Sequence, residues 1–324
     1  MNATTHPDVV ATEDPAARLS GKRYRFSDYQ GVEVGPVGHL AAERSRLKAL
    51  EWEHFDASML GSTIGAELTG IDLADDLPRQ VVTEIHQALL DYKVIFFRDQ
   101  RITSAEHIAF AKRFGDLEIH PFIPPTTDQP ELVRFEKGAG TAGYENAWHH
   151  DVTWRASPSK MAILRAVSVP ETGGDTMFAD MYACFDALDD DAKSEIEGMV
   201  AVHDFTHSFG RQVPEDQQAE MREKYPVVEH PIVGTHPDTA RQYLFVNRIF
   251  VDHIKGLTRK ASVPMIDKLA RQAEFAEHQC RFRWMSDSIA MWDNRASQHY
   301  ALSDYWPDIR IMERASVVGE PPTA

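Results

Sequence analysis

Cysteine is scarce in this chain: Cys184 and Cys280, far apart in sequence, are the only two, which supports neither a disulfide framework nor a thiolate metal cage. The expected setting is the reducing cytoplasm. Long apolar runs are missing as well, since no stretch reaches the roughly eighteen residues of a membrane span. The N-terminal MNATTHPDVVATEDPAARLSGKRYRFSDYQ has no basic region followed by an apolar one, so it does not read as a secretion signal. Basic charge is short too. Lys and Arg number 34 against 50 Asp and Glu, a net charge of −16 that argues against nucleic acid or an acidic membrane surface as partner. An anionic ligand must then be held by a few local cations. Also absent are Gly-Lys-Ser/Thr and Gly-x-Ser-x-Gly, which removes the usual support for a P-loop nucleotide site or for acyl transfer.

What is present suits a folded globular chain, with 43% apolar residues in 324, enough for one large domain or two small ones. Residues 1–50 read as a polar extension with one short helix in LAAERSRLKALEW, and residues 51–324 as the compact domain. That domain opens β-α-β-α. STIGAELTGIDL alternates like a strand, LPRQVVTEIHQALLDY has helical apolar spacing, and KVIFFRDQ is a buried strand. Thr103 and Glu106 then form a capping box for SAEHIAFAKRF, which stops at Gly115. Beyond it come short strand-like runs separated by Pro, Gly and Asp: ELVRF, AILRAVSV, DTMFADM, QYLFVNRIF, CRFRW, SIAMWDN and RIMERASVV. Helices are expected at about 186–198 and, opened by SVP, at about 263–278. The whole predicts an α+β fold with a mostly β core, a sandwich or barrel. Residues 203–242, long and weakly periodic, read as a lid or insertion.

The stretch NAWHHDVTW, residues 146–154, sets two histidines and an aspartate between two tryptophans. Read as a strand, it turns His149 and Asp151 to one face and His150 to the other. An imidazole and a carboxylate so placed lack one ligand of the two-histidine, one-carboxylate triad that leaves three positions open on non-haem Fe(II). Alone, His-x-Asp is more often ordinary surface or hydrogen-bonding polar residues than a metal site. In MWDNRASQHYALSDYWPDIRIMERASVV, His299 follows a strand-like run and a turn, and the alternation Arg310, Met312, Arg314 puts two guanidiniums on one strand face. Guanidiniums grip carboxylates and sulfonates through paired hydrogen bonds, although two plain salt bridges would explain the same pattern.

Taken together, WHHDVTW, GGDTMF, WDNRASQHYA and RIMERA, in this order and spacing, resemble the taurine dioxygenase and 2,4-dichlorophenoxyacetate dioxygenase family of Fe(II)/2-oxoglutarate enzymes. The similarity runs from about Leu60 to Pro321 and takes in IGAELTGIDL, VIFFRDQ, RFGDLEIHP and LFVNRIF. It implies a double-stranded β-helix, or jelly roll, flanked by helices. It implies His149, Asp151 and His299 as the catalytic Fe(II) ligands, with His150 an outward neighbour. Arg310 and Thr176 fall where the family holds the distal carboxylate of 2-oxoglutarate, and O2 would take the position on iron left open. For the primary substrate the resemblance implies His120, the backbone N–H of Val152 and Arg314 around a sulfonate, with Ser208 and Phe209 at further pocket positions.

Two departures stand out. Where taurine-specific members carry Asp and Asn for the amine, this chain reads Tyr144, Glu145, Asn146 and Ala147, and Ile123 replaces a pocket tyrosine. Glu145 is left to face an ammonium. The expected activity is hydroxylation beside the anionic group of a small organic substrate, a sulfonate such as taurine giving aldehyde, sulfite, succinate and CO2, with alkyl sulfate esters and aryloxyalkanoic acids as alternatives. A homo-oligomer is expected. Rivals of another class are a non-catalytic metal-barrel sensor, which the retained ligands and Arg310 weigh against, and a zinc hydrolase. His203 and His207 stand four apart but without the Glu of His-Glu-x-x-His, while His230 and His236 suggest proline-bounded turns. The tryptophans Trp148, Trp154, Trp292 and Trp306 are expected in core or pocket wall.

Overall fold

The computed structural model describes residues 24–25, 33–34, 37–123, 128–141, 145–210 and 213–324. Its backbone divides into two units, Met1–Ala49 and Leu50–Ala324. Much of the polar extension expected over residues 1–50 lies outside the described residues. Described in the first unit are the strand pair Tyr24–Arg25 (β1) and Glu33–Val34 (β2) and the helix Leu40–Lys48 (α1), which is the helix expected in LAAERSRLKALEW.

The second unit begins with Asp56–Met59 (β3), Ala66–Thr69 (β4), Arg79–Tyr92 (α2), Val94–Phe97 (β5), Ser104–Ala111 (α3) and Leu132–Lys137 (β6). Met161–Ser168 (β7), Thr176–Asp180 (β8), Met181–Asp186 (α4), Asp190–Ile196 (α5) and Val200–His203 (β9) follow. Next come Gln218–Lys224 (α6), Val228–Pro231 (β10), Val233–Thr235 (β11), Gln242–Leu244 (β12), Val251–Ile254 (β13) and Arg259–Ala270 (α7). The chain closes through Gln279–Phe282 (β14), Ile289–Asp293 (β15), Ser297–Ala301 (β16) and Arg310–Val317 (β17).

A seven-stranded sheet runs β3-β4-β5-β15-β7-β17-β6, and a three-stranded sheet runs β14-β8-β16. Strands β4 and β5 pair in parallel, so they need a crossover, and α2 supplies it. Val81, Val82, Ile85, Leu89 and Tyr92 give that helix one buried face at the spacing the sequence shows. The two sheets share a core in which Phe96 and Ala290 of the large sheet meet Phe178 and Phe282 of the small one. Phe96 stacks on Phe282 with ring centroids 4.0 Å apart. The mixed α/β composition with a mostly sheet core agrees with the sequence reading.

Several expectations shift. The helix placed at 263–278 starts at Arg259, because the Thr258 side chain accepts from Ala261 N and caps it there, leaving Pro264 inside the helix instead of at its opening. It gives way to a 3₁₀ turn at Arg271–Glu274. QYLFVNRIF is a strand only over Gln242–Leu244, since Asn247 Oδ1 accepts from Ile249 N and Phe250 N and bends the chain into a turn. Within 203–242, the stretch read as a lid or insertion, the chain forms α6, β10 and β11.

The capping box of α3 forms as read: Thr103 accepts from Glu106 N while Glu106 accepts from Thr103 N. Thr103→Ala is therefore expected to lower stability by about 1 kcal/mol. Urea unfolding should show a lower midpoint at unchanged slope.

Candidate active site

At one end of this core lies a cavity of about 350 Å³ lined by residues from β6, β8, β15, β16 and β17. His149 and His299 meet there backbone to backbone: His149 N donates to His299 O at 3.1 Å and His299 N to His149 O at 3.0 Å. Their rings lie 4.3 Å apart. His149 Nδ1 donates to Ala147 O at 2.7 Å, which fixes the tautomer and leaves Nε2 as a lone pair on the cavity side. One ligand atom each from His149, Asp151 and His299 falls within 4.8 Å of the others, an arrangement that can hold a metal ion.

Asp151 reaches the site by a turn, not by strand alternation. After the single bridge at His149 the chain turns through Asp151–Trp154, with Val152 at φ 47°, the left-handed region. Asn294 clasps the turn: its Oδ1 accepts from Asp151 N at 2.7 Å and its Nδ2 donates to Asp151 O at 3.0 Å. Arg314 Nη1 donates to Asp151 Oδ1 at 2.6 Å, whereas Oδ2, 4.0 Å from His299 Nε2, is buried with no hydrogen-bond partner among the described residues. Burial alone would raise this carboxyl, but the Arg314 guanidinium beside it outweighs that and holds it at about 2. Burial and the neighbouring His149 push His299 far below the usual imidazole range, so its ring is neutral. The neutral His299 ring, the Nε2 of His149 and an ionised carboxylate fit a divalent cation such as Fe(II).

Arg310, Met312 and Arg314 all line the cavity, as their alternation on β17 implies. Arg310 Nε donates to Gly174 O at 3.1 Å, and Nη2 is buried without a partner among the described residues. The glycines of GGDTMF have a steric reason: Gly174 has φ +69°, and a Cβ there would lie 3.1 Å from Arg310 Cδ. Thr176 lines the same cavity, its Oγ1 accepting from Trp284 Nε1 at 2.9 Å.

Nearer Arg314, His120 Nδ1 accepts from Phe122 N and Ile123 N at 3.2 and 3.1 Å, so the ring proton sits on Nε2. Burial, with Arg314 and Arg155 adding to it, pushes His120 down to about 3. It is thus a neutral donor. Val152 and Phe209 line the cavity with Phe122 and Phe250. Ser208 does not: its hydroxyl donates to Phe205 O at 3.3 Å. Glu145 does line it, but its carboxylate is 3.3 Å from Lys137 Nζ instead of free for an ammonium.

His150 is not an outward neighbour. It is fully buried, 4.7 Å from the Phe245 ring, because the chain turns inward after His149. His203 ends β9 and His207 pairs with Asp252 at 2.8 Å, so they share no helix. His230 Nε2 donates to Thr153 O and Arg155 O, each at 2.9 Å, buttressing the Asp151 turn. His236 Nε2 donates to buried Asp293 Oδ2 at 2.8 Å. Asn294 and Lys137 have no role in the sequence reading, and His230, read there as part of a turn, lies in β10. The one local signal was the Asp-Asn pair opening the DNRASQ turn.

The family model described as "Taurine catabolism dioxygenase TauD, TfdA family" matches residues 56–316. An alkylsulfatase of Acinetobacter baylyi is 35% identical over 269 residues, 81% of this chain and 84% of its own. An alpha-ketoglutarate-dependent sulfate ester dioxygenase of Pseudomonas putida is 33% identical over 275 residues, 82% of this chain and 90% of its own. The solved structure of a taurine dioxygenase from Burkholderia xenovorans matches with a TM-score of 0.73 at 32% identity, covering 84% of this chain and 92% of that one. The chain therefore belongs to the TauD/TfdA family of alpha-ketoglutarate-dependent dioxygenases, oxidoreductases that use Fe(II), 2-oxoglutarate (alpha-ketoglutarate) and O2.

Proposed function

We propose that this dioxygenase hydroxylates the carbon bearing the anionic group of a small apolar-tailed sulfate ester or sulfonate, with alkyl sulfates favoured over taurine. In this reading residues 51–324 form a double-stranded β-helix in which His149, Asp151 and His299 hold Fe(II). Arg310 and Thr176 receive the distal carboxylate of 2-oxoglutarate, and Arg314, His120 and the Val152 N–H receive the substrate's anion. The observation that carries it is the cavity wall itself. Arg314 and neutral His120 stand beside Phe122, Phe209 and Phe250, and the two glutamates of the wall are engaged, Glu145 with Lys137 and Glu136 with Arg134. The relatives named alkylsulfatase and sulfate ester dioxygenase support the same preference.

Fe(II), bound with 2-oxoglutarate and O2, supplies the oxidation that yields succinate and CO2 and places a hydroxyl on the substrate carbon. The chain's part is to orient and to exclude water. Arg314 fixes the anionic end through charge-assisted hydrogen bonds, and the three phenylalanines hold the tail in a dry wall, so that the carbon next to the oxygen or sulfur faces the histidines. Once hydroxylated, that carbon carries two heteroatoms and collapses: the hydroxyl proton leaves, a C=O forms, and the sulfate (or sulfite) departs with the electron pair of its bond to carbon. The products are an aldehyde and the free oxoanion.

A panel of alkyl sulfates, alkylsulfonates, taurine and aryloxy acids tests the proposal by substrate-dependent succinate formation. Alkyl sulfates of moderate chain length are expected to exceed taurine at least tenfold in kcat/KM, and a preference for taurine would sink the proposal. Arg314→Ala should separate the two anions. The anaerobic Fe(II)–2-oxoglutarate chelate band should still form at near-normal cosubstrate concentration, because Arg310 and Thr176 remain. Substrate affinity should fall by ~2–5 kcal/mol, roughly 30-fold to several thousandfold.

The pH dependence has a definite sign. An imidazolium at the anion site would lose affinity as pH rose through its ordinary value near 6.5, but burial holds His120 at about 3, so it is neutral throughout that range. Substrate binding, followed by quenching of tryptophan fluorescence, should therefore stay flat from about pH 6 to pH 8. A drop centred near pH 6.5 that disappears in His120→Gln would show that His120 is charged in the complex.

A further inference from the structure

At the Thr176 end of the cavity two cations stand side by side. Lys137 closes β6 and is the Cα partner of Arg310 across the β6–β17 ladder, and both side chains line the cavity. The side chain of Lys137 is only 12% exposed. Two cations held so close and so far from water are costly unless an anion meets them. That anion is in the chain: Glu145 Oε1 lies 3.3 Å from Lys137 Nζ, and Glu145 lines the same cavity. Glu145 also acts on Arg310, where burial lowers the guanidinium's hold on its proton and Tyr305 and Glu145 oppose that loss. With 29% of its side chain exposed, Glu145 has a path to water that the two cations lack.

We propose that Glu145 is a built-in counter-ion for the Lys137–Arg310 pair, that the distal carboxylate of 2-oxoglutarate displaces it, and that Lys137 then serves as a second cation for the cosubstrate. This rests on the assignment of Arg310 to 2-oxoglutarate made above. Before cosubstrate arrives, Glu145 neutralises the pair; afterwards the incoming carboxylate takes that role and Glu145 turns outward. Cosubstrate affinity is then set by a competition between two carboxylates, one tethered and one free. The tethered one weakens binding, because its removal from the cations is part of every binding event.

The experiment is an anaerobic titration of 2-oxoglutarate against the visible Fe(II) chelate band in the full-length chain, a measurement of binding and not of turnover. Glu145→Gln keeps the size of the side chain and removes its charge, so the apparent Kd is expected to fall about tenfold. Glu145→Ala should do the same, which guards against an amide hydrogen bond that mimics the original contact. Lys137→Met should raise the apparent Kd by a similar factor. Arg310→Lys is the reference variant, expected to raise it tenfold or more. An unchanged curve in Arg310→Lys overturns the Arg310 assignment, and this proposal with it. A normal response in Arg310→Lys with no tightening in either Glu145 variant overturns the counter-ion proposal alone, as does a Lys137→Met curve that superposes on the wild type.

Discussion

The Asp151 carboxylate must sit, ionised, in the interior, in a turn that its own sequence does not favour. Val152, β-branched, adopts φ 47°, a conformation that costs an L-residue of roughly 1–2 kcal/mol. The turn is imposed from outside by Asn294, which takes both the N–H and the C=O of Asp151, and by His230, which donates to the carbonyls of Thr153 and Arg155. Arg314 supplies the counter-charge. Local strain of this kind persists where surrounding contacts over-determine it, and it is concentrated here on the residue between the metal-side carboxylate and the aromatic wall.

The same economy extends to the second histidine. His299 follows a turn whose first residue, Asp293, is fully buried. Asp293 Oδ1 accepts from Arg295 N and Ala296 N, and Oδ2 accepts from His236. Asp293 N in turn donates to Lys93 O, and the Lys93 ammonium lies 3.5 Å from Asp180, which is paired in register with Ser297 at the start of β16. A chain of buried polar contacts thus runs from the end of α2 to the strand that presents His299. Breaking one member leaves its partner buried and unsatisfied, a larger penalty than any single hydrogen bond is worth.

Legibility in the sequence followed the range of the forces involved. The capping box at Thr103, the amphipathic face of α2 and the alternation of β17 are local, and each appears in the structure where the spacing puts it. WHHDVTW misled in its local geometry and not in its chemistry. Its histidine and aspartate do share a site, yet through a turn clasped by a residue more than a hundred positions away. No periodicity within seven residues encodes that. His150 illustrates the same limit: alternation assigns it to an opposite face, but only the packing of Phe245 decides that this face is interior. Ser208 was placed by analogy of position, and the short 3₁₀ segment Phe205–His207 turns its hydroxyl back onto Phe205 O.

Charge closes the argument about substrate. In a chain with net charge −16 the cavity gathers Arg310, Arg314 and Lys137. With the proposed roles, a dication on Asp151 and the histidines, a dianionic cosubstrate at Arg310 and a monoanion on Arg314 leave the formal charges cancelled, and Arg134 and Lys137 against Glu136 and Glu145 add equal charge of each sign. Remove any one ligand and a net charge remains in a poorly hydrated space, at a cost that favours joint occupancy. A phosphate monoester, carrying a second negative charge near neutral pH, would upset this balance. A sulfate ester or sulfonate keeps it, because either is a monoanion across the whole physiological range. The tail of such a substrate then meets Phe122, Phe209 and Phe250, where apolar area taken out of water contributes binding at about 25 cal/mol per Å².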